Sequence, residues 1–251
     1  MNRTVIKRYT AAGALLFFGI FFGCGTSEYE QRLDARITDL KSGSKFNTLS
    51  SPIDVPGTQV SIRIPQGSKN APEWVFNMVK QGTMVDGKEV SSRRIKPIVE
   101  IPDLKVTYEG LLKDSKGGKY PFYLYVAVST GASRVNFVRI LQGALGEKFS
   151  NTTELQDFRA QTPEGQSIDW QQCRGTGNQE FCYLQPATGQ EQFQQMPGAV
   201  ELFFHDEENT LVTLAWRTPT NIEESIGFKS LVNIVAGCVK IKSKAGGASE
   251  E

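Results

Sequence analysis

Two neighbouring segments, 199–205 and 210–217, are apolar on both faces when read as strands, and this constrains the whole fold. With Asp206 to Asn209 as the loop of a hairpin, one face presents Val200, Leu202, Phe204, Leu211 and Ala215. The other presents Phe203, Val212, Leu214 and Trp216, with only Glu201 and His205 polar. A strand pair of this kind has to be covered on both sides. Helices are the expected cover.

The rest of the pattern supplies a sheet and candidate helices. In Gln59–Ile64 the side chains of Val60, Ile62 and Ile64 share one side, and Pro65-Gln66-Gly67 stops the strand. The stretch 68–102 has little periodicity, although Trp74, Val75, Met78 and Val79 suit a short helix after Pro72. Leu104–Leu112 and Pro121–Ser129 flank a Lys/Gly-rich turn and are rich in strand-favouring residues. Val135, Val138, Leu141, Leu145 and Phe149 mark a helix of 132–148, weakened by Gly143 and Gly146. Strands near 155–161, 167–175 and 179–185 follow, then a Gln-rich polar loop from Gln185 to Gln195. Thr220-Asn221-Ile222-Glu223 is a capping box opening a last helix striped by Ile226, Leu231, Ile234 and Val235. The expected fold is α+β: a single domain over 59–243, a twisted, mainly antiparallel sheet with helices packed on both faces. Residues 244–251 read as a flexible tail.

The N-terminus reads as an address. Arg3, Lys7 and Arg8 precede Ala11–Gly23, an uncharged run shorter than the about 20 residues a membrane-spanning helix needs and of secretory-signal length. Ile20-Phe21-Phe22-Gly23-Cys24-Gly25 resembles a bacterial lipobox, with Phe21 and Phe22 departing from the usual Leu and small residue. That resemblance implies cleavage of residues 1–23 and a lipid (palmitate included) on Cys24. The protein is then exported and anchored to a bacterial membrane, the outer rather than the inner, because Gly25 is not the aspartate of inner-membrane retention. Residues 24–58 hold the lipidated end, an amphipathic helix of 28–41 behind the capping box Ser27–Glu30, and a linker over 42–58.

Export places Cys173, Cys182 and Cys238 in an oxidising compartment. If 167–176 and 179–185 form a hairpin about Gly177-Asn178, Cys173 faces Cys182 as a non-hydrogen-bonded pair. Their Cα atoms are then about 4.5 Å apart, within disulfide range. The alternatives are unpaired thiols or a bond from Cys238 to one of the two.

The order of Val60-Ser-Ile-Arg-Ile-Pro65-Gln-Gly67, antiparallel strands with a mid-chain helix and a closing amphipathic helix resembles the PsbP-like/DcrB-like group. The resemblance implies an α/β/α sandwich serving as a non-catalytic accessory or assembly module, often exported and lipidated. The segments TYEG and PFYLYVAV also resemble uncharacterised bacterial lipoproteins, which implies no activity.

Few residues carry chemistry. With 28 Lys+Arg against 27 Asp+Glu there is no basic surface for tracking nucleic-acid phosphates. His205 is the only histidine, so a multi-histidine metal site is excluded. No Gly-x-Ser-x-Gly elbow exists to pair with it, and it reads as an exposed turn residue. Ser42-Gly43-Ser44-Lys45 fits S-x-x-K without the Lys-Thr-Gly partner, and Asp206–Asn209 lacks the alternating ligands of a calcium loop. No phosphate-binding or dinucleotide glycine pattern occurs, and no cofactor is expected. Tyr120, Phe122, Tyr123 and Tyr125 alternate along one strand; Tyr123 and Tyr125 are the candidates for a binding surface. The leading expectation is a membrane-anchored, non-catalytic binding or assembly accessory with a protein partner in the cell envelope. The alternative is a small-ligand-binding lipoprotein with a pocket near Tyr120–Tyr125. A hydrolase comes third.

Overall fold

The computed structural model describes residues 45–66, 76–78, 84–85, 88–89, 96–113, 118–131, 134–185, 190–223 and 227–242. The chain divides into two compact units, Met1–Lys45 and Phe46–Glu251, and only Lys45 of the first is described. Cys24, the helix of 28–41 and the tail from 244 lie outside the described residues. Among those described, no helix is long and apolar enough to cross a membrane.

The second unit is built on one large antiparallel sheet. Its strands, in spatial order, are β3 (Phe76–Met78), β6 (Leu104–Lys113), β7 (Lys119–Thr130), β12 (Thr210–Pro219), β11 (Glu191–Glu207), β10 (Ser167–Leu184) and β8 (Asn151–Thr152), with β9 (Gln156–Gln161) also on β10. A three-stranded sheet joins β1 (Ile53–Asp54), β2 (Val60–Ile62) and β13 (Lys240–Ile241), and β4 (Met84–Val85) pairs with β5 (Lys88–Glu89). Among the described residues of this unit the full α-helices are α1 (Arg134–Lys148) and α2 (Phe228–Ala236).

The period-2 geometry of strands splits the core in two. Phe122, Leu124, Val126, Phe203, Val212, Leu214 and Trp216 belong to one cluster. Tyr123, Tyr125, Ala127, Val200, Leu202, Phe204, Leu211 and Ala215 belong to the other. The central strands are therefore buried on both sides, as their composition requires.

The expected α+β arrangement, with helices packed on both faces of the sheet, is overturned. Of the described residues 54% lie in strands and 18% in helices, and the protein is mostly β. Non-helical chain supplies much of the cover. Leu49, Val55, Val60 and Ile62 fill the first cluster beside Trp216; Val99 and Ile101 enter the second beside Tyr123 and Tyr125.

Five local expectations are corrected with it. Part of the stretch read as a linker is core: Phe46, Leu49 and Val55 are buried, and Arg63 ties the segment down by donating to the carbonyls of Ser50 and Phe46. Phe76–Met78 is a strand on β6 rather than part of a helix, and residues 191–195 of the Gln-rich stretch continue β11 rather than looping. The capping box at Thr220–Glu223 forms only a 3-10 turn, and α2 starts instead after Gly227, which is left-handed. Most consequential, the chain does not turn at Gly177-Asn178. β10 runs straight through, pairing Gly177 with Gly198 and Asn178 with Pro197 of β11.

Candidate functional site

The length of β10 and β11 creates the site. β12 ends where Pro219 pairs with Gly198, but β10 and β11 continue together through 179–184 and 191–196. This two-stranded arm bends until Leu184 pairs with Lys119, at the start of β7. Gly198 permits the bend, since a Cβ there would stand 2.4 Å from Cε2 of Phe181 and 3.0 Å from Cδ of Gln179.

Under the arm lies Arg217. It follows Leu211 and Ala215 at period-2 spacing on β12, so it enters the second core cluster, where it is buried. Its cross-strand partner is Tyr123, whose ring centre is 5.7 Å from the guanidinium carbon; the Phe181 ring is at 4.8 Å. The guanidinium donates to the Glu180 carbonyl and, at 3.4 Å, to that of Lys96. A buried cation is costly unless hydrogen-bonded, and these carbonyls with two aromatic faces hold it. Burial pushes the Tyr125 phenol up to about 12, against the opposing pull of Arg217.

A cleft of about 350 Å³ opens over Arg217. Lys96 from the chain before β6 and Lys148 from the last turn of α1 stand on its rim, with Asn178 and Glu180 of β10. Pro97, Ile98, Phe149 and Phe193 form apolar walls. Gln179 completes the lining. It is 5% exposed, and neither its amide nitrogen nor its amide oxygen has a hydrogen-bond partner.

A second charged cluster is structural. Arg174 of β10 binds Glu201 of β11 at 2.5 Å and Glu223 at 2.7 and 2.9 Å, and the Thr218 hydroxyl donates to Glu223 at 2.9 Å. Burial pushes the Glu201 carboxyl above its usual range against the pull of Arg174. Burial opposes protonation of Arg174, but Glu223 and Glu201 outweigh it and hold the guanidinium above its ordinary value. The cluster staples the turn after β12 to the sheet.

The residues singled out from sequence fall differently. Tyr123 and Tyr125 are not a binding surface: both are buried, stacked with ring centres 6.0 Å apart, and Tyr123 donates its hydroxyl to Glu109 at 3.2 Å. They form the floor beneath Arg217. Cys173 faces Leu202 and Cys182 faces Phe193; they lie nine positions apart on one strand instead of opposite each other, and no disulfide joins them. Cys173 and Cys238 are free, buried thiols. His205 is not an exposed turn residue either. It pairs with Val212 inside the hairpin, its side chain is 13% exposed, and it packs on Trp170 at 5.1 Å. Among the described residues no group of three or more His, Cys, Asp or Glu is placed to hold a metal ion.

No family model matches the chain, and no curated protein matches it. Among solved structures it is similar to the solution structure of cyanobacterial PsbP (CyanoP) from Synechocystis sp. PCC 6803. Identity is 13%, coverage is 78% of this chain and 93% of that one, and the TM-score is 0.35. At that score the likeness carries no argument about activity.

Sequence reading missed Arg217 and Gln179. Arg217 had a signal, a charge at an inward position of an apolar alternation. Gln179 had none, because its burial follows from the bend of the arm.

Proposed function

We propose that this protein is an exported binding accessory, anchored to a bacterial membrane by lipid on Cys24, that holds a small ligand in the Arg217–Gln179 cleft without transforming it. The observation that carries the reading is Gln179. A buried amide with both polar atoms unpartnered costs about 1–3 kcal/mol per group, and such a group in the lining of an apolar-walled cleft suits a binding site. The other polar groups there are a guanidinium, two ammonium groups, a second amide and one carboxylate, a set suited to holding rather than to proton transfer near neutral pH.

The test is native mass spectrometry of the full-length chain extracted from host membranes in mild detergent. A small molecule retained at one per chain, and lost in Gln179→Met, is the expected result. An empty chain that no compound of a broad metabolite panel stabilises against heat overturns the binding role. The anchor is tested separately: a clickable fatty acid should label wild type and not Cys24→Ser, and equal labelling would exclude lipid at Cys24.

A further inference from the structure

We infer that the ligand of this cleft is a small carboxylate carried on an apolar body, an inference that rests on the binding role proposed above. Three cationic side chains converge there, Lys96, Lys148 and Arg217, against the single carboxylate of Glu180. Arg217 is buried and already donates to two backbone carbonyls, so it acts mainly through its fixed charge. Lys96 and Lys148 are exposed, leaving their ammonium groups able to swing over a bound anion. An anion entering the cleft meets a positive field at the inner end and at the rim.

The charge alone would admit any anion; the walls narrow the class. Phe193, Ile98 and Pro97 line the same cleft and are only partly buried, and an inorganic anion leaves them uncovered. A carboxylate on an aromatic or aliphatic body covers them while its oxygens face the cations. Gln179 supplies the remaining contact. Its amide rests over Gly198, where a Cβ would meet its Cδ at 3.0 Å, and side-chain torsion is enough to turn the unpartnered amide N–H toward a carboxylate oxygen.

The experiment is isothermal titration of the full-length chain, purified in non-ionic detergent, with four probes: 3-phenylpropanoate, 3-phenylpropanamide, 3-phenylpropylammonium and inorganic phosphate. The carboxylate should bind at least tenfold more tightly than the others, and more weakly as salt rises. The double variant Lys96→Gln/Lys148→Gln, confined to exposed positions, should weaken it about tenfold with an unchanged melting temperature. Gln179→Met should weaken it without lowering the melting temperature, because the variant removes an unpartnered polar group. Equal binding of the amide or the ammonium overturns the carboxylate assignment and leaves the binding role standing. Equal binding of phosphate overturns the apolar body. If none of the four binds, the carboxylate assignment falls, and the retained-ligand measurement above decides the binding role on its own.

Discussion

The guanidinium carbon of Arg217 lies 4.8 Å from the centre of the Phe181 ring, and this contact ties the far end of the β10–β11 arm to the middle of the sheet. Phe181 is fully buried although its strand has already passed the end of β12. The arm is therefore part of the core rather than a projecting hairpin.

Removing the cation should loosen that closure. In Arg217→Met the carbonyls of Glu180 and Lys96 lose their donor, and an unsatisfied buried acceptor costs about 1–3 kcal/mol. The new side chain recovers part of this by apolar packing. We expect a net loss of about 2–4 kcal/mol in urea denaturation, with faster hydrogen exchange at 179–184. A loss below about 0.5 kcal/mol would show that the contact does not hold the arm.

Two glycines should respond to the same substitution with opposite signs. Gly146 lies within α1 with nothing near the position of a Cβ, so Gly146→Ala should stabilise by roughly 0.5–1 kcal/mol. Gly237 ends α2 against β9, where a Cβ would sit 1.9 Å from the Gln161 carbonyl oxygen. Backbone there cannot give way, since Asn233 also holds the amide of Gln161 and the carbonyl of Arg159. Gly237→Ala should cost at least the about 1–3 kcal/mol typical of overpacking. Thermal melts of the two variants read both signs in one experiment.

The hairpin around His205 shows what was legible in sequence. The turn is two residues long rather than four: Glu208 and Asn209, with φ of 48° and 65°, as a primed turn requires. A register change of two preserves which side chains share a face, so the assignment of Val200, Leu202 and Phe204 opposite Phe203, Val212 and Trp216 survived the wrong turn. At Gly177-Asn178 the same turn chemistry misled. Both residues pair with β11 inside a strand, and the space over the nearby Gly175 is taken by Phe149 and Leu145. There Gly175 serves close packing, which local sequence does not distinguish from a turn. The cleft was illegible for a related reason: Lys96, Lys148, Gln179 and Arg217 come from four segments far apart in sequence and line one cleft only in the folded chain.

His205 now has a definite structural role to test. Its ring nitrogens lie 2.9 Å from the Asp169 carbonyl oxygen and 3.2 Å from a Glu207 carboxylate oxygen, and the ring packs on Trp170. His205→Ala removes the ring N–H donor to these acceptors, a hydrogen bond worth about 0.5–1.5 kcal/mol, together with the ring contact. We expect a loss of about 1–2 kcal/mol and altered tryptophan fluorescence, with ligand binding in the Arg217 cleft unchanged. A stability change within 0.5 kcal/mol, on the order of a neutral surface substitution, would return the residue to the exposed surface.

Burial pushes the thiols of Cys173 and Cys238 up to about 11 from an ordinary value of 9.0, which makes alkaline pH the condition that most tests this core. Each folded thiol keeps its proton where the unfolded chain has lost it, so the unfolded chain is favoured as pH rises above the ordinary value. The stabilising contribution is fully present below about pH 9 and is lost progressively toward pH 11. The melting temperature should therefore fall between pH 9 and 11. The fall should be shallower in Cys173→Ala/Cys238→Ala, compared with its own value at pH 8 so that the lost packing cancels. Iodoacetamide at pH 8 should leave both positions unmodified in the folded chain and alkylate them in urea, because the thiolate is the reacting form. Rapid alkylation of folded Cys173 would place that strand face in solvent, against its opposition to Leu202 in the second core cluster.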